Sequence, residues 1–419
     1  MRKKNRVLFR IISVCMLSVM LFQLVGCTKE VDADEVVQIE PMELEEVAKE
    51  SFDFIGGDDV MPILAFYGPK RALWSYNGNN LPSYYSDEFM QLIKDVGINI
   101  IGHNDTDYYS LKEYAITLLE QAEKYNLGVM LMDKRIYEQN LEGQDISVLT
   151  DWISEYVKYP SFVGAQMKDE PGHKELLPNN RLMEDSSQTY KYLRELGYFA
   201  NGNLFPQAVF GSEEKYRQYV SDFLYYCEPT ALCYDQYPFI TGKGVAALPE
   251  YFSNMSIIRE YAEEANIPFW GYVAAGGHHN DAQRRYDTTE FYVTKGEFYW
   301  NVSTLLAFGA KGINYFTLIQ PTYYTLTASG EPDLQRNGLI SAYGTKTRWY
   351  HYAQALNAQI ATVDEVLMNS VNKGVIVTTD EAREHLGSSP YLMKGTSWRE
   401  LESVDGNVLI GCVHIKADS

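Results

Sequence analysis

From Met61 to Ile360, short apolar runs alternate with stretches of helical spacing, and the alternation repeats eight times. No other feature narrows the fold so far. The candidate strands are Pro62–Tyr67, Ile98–Gly102, Gly128–Met132, Phe162–Met167, Phe199–Leu204, Ala231–Tyr234, Phe269–Ala274 and Gly312–Leu318. Between them, Leu111–Tyr125 carries Leu118, Leu119 and Ala122 at helical spacing, and Tyr251–Ala265 ends in Asn266 just before Pro268. Strands separated by helices must run parallel through right-handed crossovers, and eight such units close into a barrel. The rival is an open doubly wound sheet, which would want a glycine-rich phosphate turn. The sequence contains no G-x-G-x-x-G, no G-x-x-x-x-G-K-[ST] and no G-x-S-x-G. The expected fold is therefore α/β, a (β/α)8 TIM barrel over 61–360.

Charge limits the partners. With 36 basic and 56 acidic residues the formal net charge is −20, which repels phosphate backbones and anionic lipid, so nucleic acid is not an expected partner. The 33 tyrosines and 6 tryptophans exceed what a core needs, and some are expected to line a wet binding surface.

The N-terminus begins with MRKKNR, followed by an apolar stretch up to Gly26 and Cys27. This pattern reads as a secretion signal, too short for a well-anchored spanning helix. Leu24-Val25-Gly26-Cys27 resembles a bacterial lipobox, so residues 1–27 are expected to be a lipoprotein signal with Cys27 lipidated and the protein held at the outer face of a membrane. Residues 28–60 hold 12 acidic and 2 basic residues and read as a solvated tether. Of the remaining cysteines, Cys227, Cys233 and Cys412 suggest buried free thiols.

Chemistry in such barrels sits at the C-terminal strand ends. These ends supply Tyr67 and Trp74 after strand one, His103 and Asn104 after strand two, and Asp169 and Glu170 after strand four. Asn203 follows on strand five, and Asp235 and Tyr237 on strand six. Carboxylates, amides and aromatics suit a neutral, hydroxyl-rich ligand, with rings stacking on sugar faces and acids handling protons. His278 and His279 stand on a glycine loop with no third ligand at suitable spacing, so neither metal nor cofactor is expected.

Glu170 is the candidate general acid; the bland alternatives are a helix cap or a pair with Lys168 or Arg284. Asp169 could orient Glu170, bind a sugar hydroxyl or make a structural ion pair. Strand seven, FWGYVAAGGHHND, offers no glutamate at its mouth, which leaves Asp235 as the economical second carboxylate, with Asp281 and Glu331 in reserve. Trp270 on strand seven could be a sugar platform or buried core.

The blocks GAQMKDEPG (164–172), NLFP (203–206), YDQYP (234–238), IPFWGYV (267–273) and LLAFGAKGINYFTL (305–318) resemble, in this order, barrel-type glycoside hydrolases distantly related to the family 42 β-galactosidases. The resemblance implies extracellular glycan cleavage and an acid/base glutamate at the end of strand four, matching Glu170. That clan usually has Asn-Glu on strand four and a glutamate on strand seven. This chain has Asp169-Glu170 and lacks the second. Beyond Ile360 the pieces Gly374–Thr379 and Val408–His414 read as strands of a partial C-terminal β-module over 361–419. The combined expectation is a lipid-anchored glycoside hydrolase with a carbohydrate partner; a glycan-binding lipoprotein without catalysis is the alternative.

Overall fold

The computed structural model describes residues 59–69, 75–76, 79–80, 85–102, 112–137, 147–172, 181–239, 247–278, 291–319, 338–341, 344–384, 386–387, 389–393 and 408–415. The expected signal segment, Cys27 and nearly all of the acidic tether lie outside them.

The eight expected strands are all present, in order: β1 Ile63–Ala65, β2 Ile100–Gly102, β3 Gly128–Leu131, β4 Phe162–Gln166, β5 in two segments (Phe199–Asn201 and Asn203–Leu204), β6 Leu232–Tyr234, β7 Phe269–Ala274 and β8 Ile313–Phe316. Every neighbouring pair is parallel, and β1 pairs with both β2 and β8. The ring closes through β5. Its first segment pairs with β4 (Gly164↔Phe199) and its second with β6 (Asn203↔Cys233), so one strand serves both neighbours across Gly202. A Cβ at Gly202 would run into the Tyr190 hydroxyl, so the break can carry no side chain. This is a (β/α)8 TIM barrel.

Among the described residues, eight helices of eight or more residues follow the strands: α1 Asp87–Asp95, α2 Lys112–Lys124, α3 Ser147–Ser154, α4 Arg181–Glu195, α5 Glu213–Cys227, α6 Leu248–Glu264, α7 Lys295–Ala307 and α8 Arg348–Ile360. Their starts are fixed by side-chain caps at Ser86, Ser212, Thr294 and Thr347, and Thr294 with Glu297 forms a reciprocal capping box. Asn126 and Asn266 follow α2 and α6 at φ of 52° and 54°, the left-handed turn that ends a helix and that asparagine tolerates.

Because the strands are covered on both faces, they read as continuous apolar runs. The period of two divides them nonetheless. Ile63, Ile101, Val129, Leu131, Val273 and Tyr315 pack against the helices, whereas Leu64, Phe66, Ile100, Met130, Phe199, Cys233, Trp270 and Tyr272 fill the interior. Trp270 stops the lower part of the barrel. Its ring lies 5.0 Å from that of Phe199 at a tilt of 56°, and a Cβ at Gly312, just before β8, would come within 2.6 Å of it, so glycine is needed there.

The C-terminal segment forms a three-stranded sheet: β9 Ser370–Val377, β10 Leu392–Met393 and β11 Leu409–Ile415. β9 lies antiparallel to β11 and parallel to β10. It starts four residues before the expected Gly374 because the polar Ser370-Val371-Asn372 hides its beginning, and a register shift separates Asn372 from Gly374. This sheet is bound tightly to α6 and α7. The buried Arg259 of α6 donates to Asn372 Oδ1 at 2.6 Å, to Asn372 O at 3.0 Å and to Phe308 O at 3.2 Å, and its guanidinium lies 3.7 Å from the Tyr391 ring centre. Asn372 Nδ2 donates in turn to Ala307 O at 2.6 Å. Cys227, Cys233 and Cys412 are buried free thiols, as expected.

Candidate active site

The barrel mouth brings three carboxylates together, and the backbone ladder explains how. Pairing between β4 and β5 continues past their ends. Met167 N donates to Asn201 O and Glu170 N donates to Asn203 O, both at 2.9 Å, which sets the Asp169-Glu170 turn alongside Asn203. Pairing between β5 and β6 continues likewise, with Asp235 N 3.4 Å from Leu204 O. Asn203 Nδ2 donates to Asp169 Oδ1 at 3.0 Å, and Glu170 and Asp235 lie near enough to influence each other's protonation. Below them, Gln166 and Asn201 pair their amides at 2.9 Å. The following turn is propped from outside: Tyr219 of α5 donates its hydroxyl to Pro171 O at 2.9 Å.

Glu170 adopts φ +47°, the left-handed region where a β-carbon is costly by about 1–2 kcal/mol. A glycine would sit there without strain, so the side chain is kept in spite of the backbone.

Burial and like charge push all three acids the same way. Burial is the largest influence on Glu170, followed by the charge of Asp169, and together they raise its carboxyl to about 7 against the hydrogen bond from Asp235. Burial lifts Asp169 to about 6, opposed by the Asn203 amide. Asp235 is held well above the usual carboxylate range by burial, then by Glu170 and Asp169. Two neighbouring buried carboxyls cannot both ionise cheaply, so the Glu170–Asp235 pair holds on to a proton near neutrality. A proton held at that pH on a solvent-reached carboxyl is what general acid catalysis requires. Among the described residues no His, Cys, Asp and Glu gather in the geometry that holds a metal ion.

Aromatic rings build the wall on the β1, β8 and β6 side. Tyr67 contacts Phe316 at 5.6 Å, and Phe316 contacts Tyr237 at 5.8 Å. Tyr67 and Tyr237 are both half-buried, leaving part of each accessible at the mouth.

Of the expected site residues, Asp169, Glu170, Asn203, Asp235 and Tyr237 converge, and Tyr67 stands on the adjoining wall. Trp270 does not join them. It is 1% exposed and pairs in register with Cys233, one inward layer below Asp235, so its role is packing rather than a sugar platform. Asp235, the expected second carboxylate, is among the residues that converge, near enough to Glu170 for each to shift the other's titration. No carboxylate stands at the end of β7, which runs out as Ala274-Ala275. His103, Asn104, Trp74, Asp281 and Glu331 lie outside the described residues. Sequence reading missed Tyr219, because its spacing with Tyr216, Val220 and Phe223 is that of a core face, and missed Asn314, an inward amide inside the apolar string INYF.

A scan against protein families and a search of curated proteins give no match. In overall shape the chain is similar to solved structures of glycoside hydrolases. One is a β-galactosidase from the psychrophilic Marinomonas ef1 (11% identity, TM-score 0.51, covering 75% of this chain and 63% of that one). Others are an α-L-fucosidase, itself putative, from Bacteroides thetaiotaomicron (12%, TM-score 0.43, 72% and 97%) and a β-glucuronidase from an uncultured Clostridium species (13%, TM-score 0.46, 72% and 50%). The chain thus spans about two thirds of the galactosidase and half of the glucuronidase. At these identities the likeness is one of fold.

Proposed function

We propose that this protein is a glycoside hydrolase acting on a neutral oligo- or polysaccharide, with Glu170 as the general acid that protonates the departing glycosidic oxygen. The observation that carries this reading is the cluster of Asp169, Glu170 and Asp235 at the C-terminal mouth of the barrel, with Glu170 held protonated to about 7. Asp169 raises Glu170 by its charge, Asn203 fixes Asp169, and the Glu170–Asp235 pair holds on to a proton. Tyr67, Phe316 and Tyr237 offer ring faces to the apolar C–H surface of a sugar. The glycosidase neighbours of the fold support this reading at the level of scaffold. The lipobox at Cys27 supports attachment to the outer face of a membrane, where polymeric glycans are met.

The test is release of reducing ends from a panel of plant, host and microbial glycans by the chain from Lys29 onward, beside Glu170→Gln. Release by the parent and its loss in the variant is the expected result; equal release by both would remove Glu170 from the chemistry. The acid-free end of β7 favours a second reading, a glycan-binding protein without turnover. Saccharide affinity without any release over a long incubation would establish it.

A further inference from the structure

Deep in the mouth, β8 presents Asn314 to the barrel axis. Its chain neighbours Ile313 and Tyr315 both pack outward against the helices, so the alternation of the strand turns Asn314 inward. Register fixes its height. Asn314 pairs with Tyr272, while Gly271 pairs with Tyr234, which sets Asp235 beside Tyr272. Asn314, Tyr272 and Asp235 therefore share one layer, directly above the layer of Gly312, Trp270 and Cys233.

Asn314 is 1% exposed, and among the described residues neither Nδ2 nor Oδ1 has a hydrogen-bond partner. Asn203 Oδ1 and Asp235 Oδ1, the neighbouring atoms of the carboxylate cluster, are likewise buried with no partner among the described residues. A buried amide with both ends unpaired costs stability that a leucine or valine in its place would not. Such a group is retained where a ligand pairs it.

We propose that Asn314 is a specificity-determining residue of this site, its carboxamide reading the hydroxyls of a neutral sugar ring and disfavouring a uronate. The inference rests on the glycosidase reading above and adds which ring enters. The unpaired atoms demand a ligand that both donates and accepts: Asn314 Nδ2 donates, while Asn314 Oδ1 and Asn203 Oδ1 accept. Hydroxyl groups do both. A uronate exchanges its hydroxymethyl group for a carboxylate, which only accepts and so leaves an acceptor facing it unmet, and which adds negative charge beside three acids that already resist ionising together.

The experiment compares the parent chain with Asn314→Leu and Asn314→Ser on aryl glycosides of neutral hexoses, both anomers, beside the matching aryl uronides. The parent is expected to cleave a neutral glycoside at least tenfold more efficiently than its uronide. Asn314→Leu should raise KM for that substrate tenfold or more while kcat changes less, with Asn314→Ser in between. The leucine variant should melt no lower than the parent, which a merely structural amide would not allow. Preference for the uronide, or an unchanged KM in Asn314→Leu, overturns the inference and leaves the glycosidase reading standing. Failure of the parent to cleave any aryl glycoside or glycan overturns both.

Discussion

Replacing Glu170 by glutamine should do two opposite things: abolish most turnover and stabilise the fold at neutral pH. The second follows from proton linkage. Glu170 titrates near 7 in the folded chain against an ordinary 4.5, so below about pH 4.5 the folded and unfolded carboxyls are both protonated and contribute no difference. Between 4.5 and 7 the unfolded chain ionises first, and stability falls as pH rises, reaching its floor above about 7. The full span would be about 3 kcal/mol. Glu170 is half-buried and solvent screens it, which reduces the effect to about 1–2 kcal/mol. Glutamine removes the titration while keeping the same strained φ, so backbone strain does not confuse the comparison. Relative to the parent, Glu170→Gln should gain about 1–2 kcal/mol between pH 4 and pH 8, or roughly 1–3 °C in Tm for a chain of this length. Denaturant melts at the two pH values measure it, and aryl-glycoside turnover measures the expected loss of about 10²–10⁴-fold. A stability difference that is the same at both pH values would refute the raised carboxyl, whatever the activity shows.

If Glu170 acts in its protonated form, the rate falls as pH passes about 7, and its neighbours should move that limb in opposite directions. Asp169→Asn removes a charge that raises Glu170 and shifts the limb to lower pH, whereas Asp235→Leu removes a hydrogen bond that lowers it and shifts the limb upward, both read from pH profiles of kcat/KM. Movement of both limbs in the same direction would contradict the assigned causes. Trp270→Ala should cost about 3–5 kcal/mol in denaturant unfolding, because the interior ring has no neighbour able to refill its space; a loss under 1 kcal/mol would mean that the lower barrel is loosely packed. Arg259→Met should cost about 2–4 kcal/mol, since it strands Asn372 and the Phe308 carbonyl, and should expose β9 to limited proteolysis before the barrel strands. Simultaneous loss of both would show that the sheet and barrel unfold as one unit.

Most of the barrel was legible because strands buried on both faces must be apolar throughout, and a helix end carries its own punctuation at Asn266 before Pro268. The Asp-Glu-Pro-Gly turn stood out because nothing in packing explains acids at the end of an apolar run. What could not be read is what depends on register between strands distant in sequence. Nothing in YDQYP tells that Asp235 comes to the same end of the barrel beside Glu170; that is set by the rungs joining Glu170 N to Asn203 O and Asp235 N to Leu204 O. The same holds for Trp270 and Tyr272, which share a face but occupy different layers. Asn314 was invisible for a simpler reason: one amide within four strand residues looks like an accident until its two unpaired atoms are seen.

The pairing of β1 with β8 has a consequence for how the chain is made. Ile63 finds its partner Ile313 roughly 250 residues later, so one edge of the first strand stays open until nearly the whole barrel has been synthesised. Until then the nascent protein presents an apolar strand with unsatisfied amides, a template for pairing with other chains. Closure waits on β8, so no shorter N-terminal piece of the barrel can cover that edge. The burden passes to factors that hold the unfinished chain, and cutting synthesis short before β8 should leave the product dependent on them.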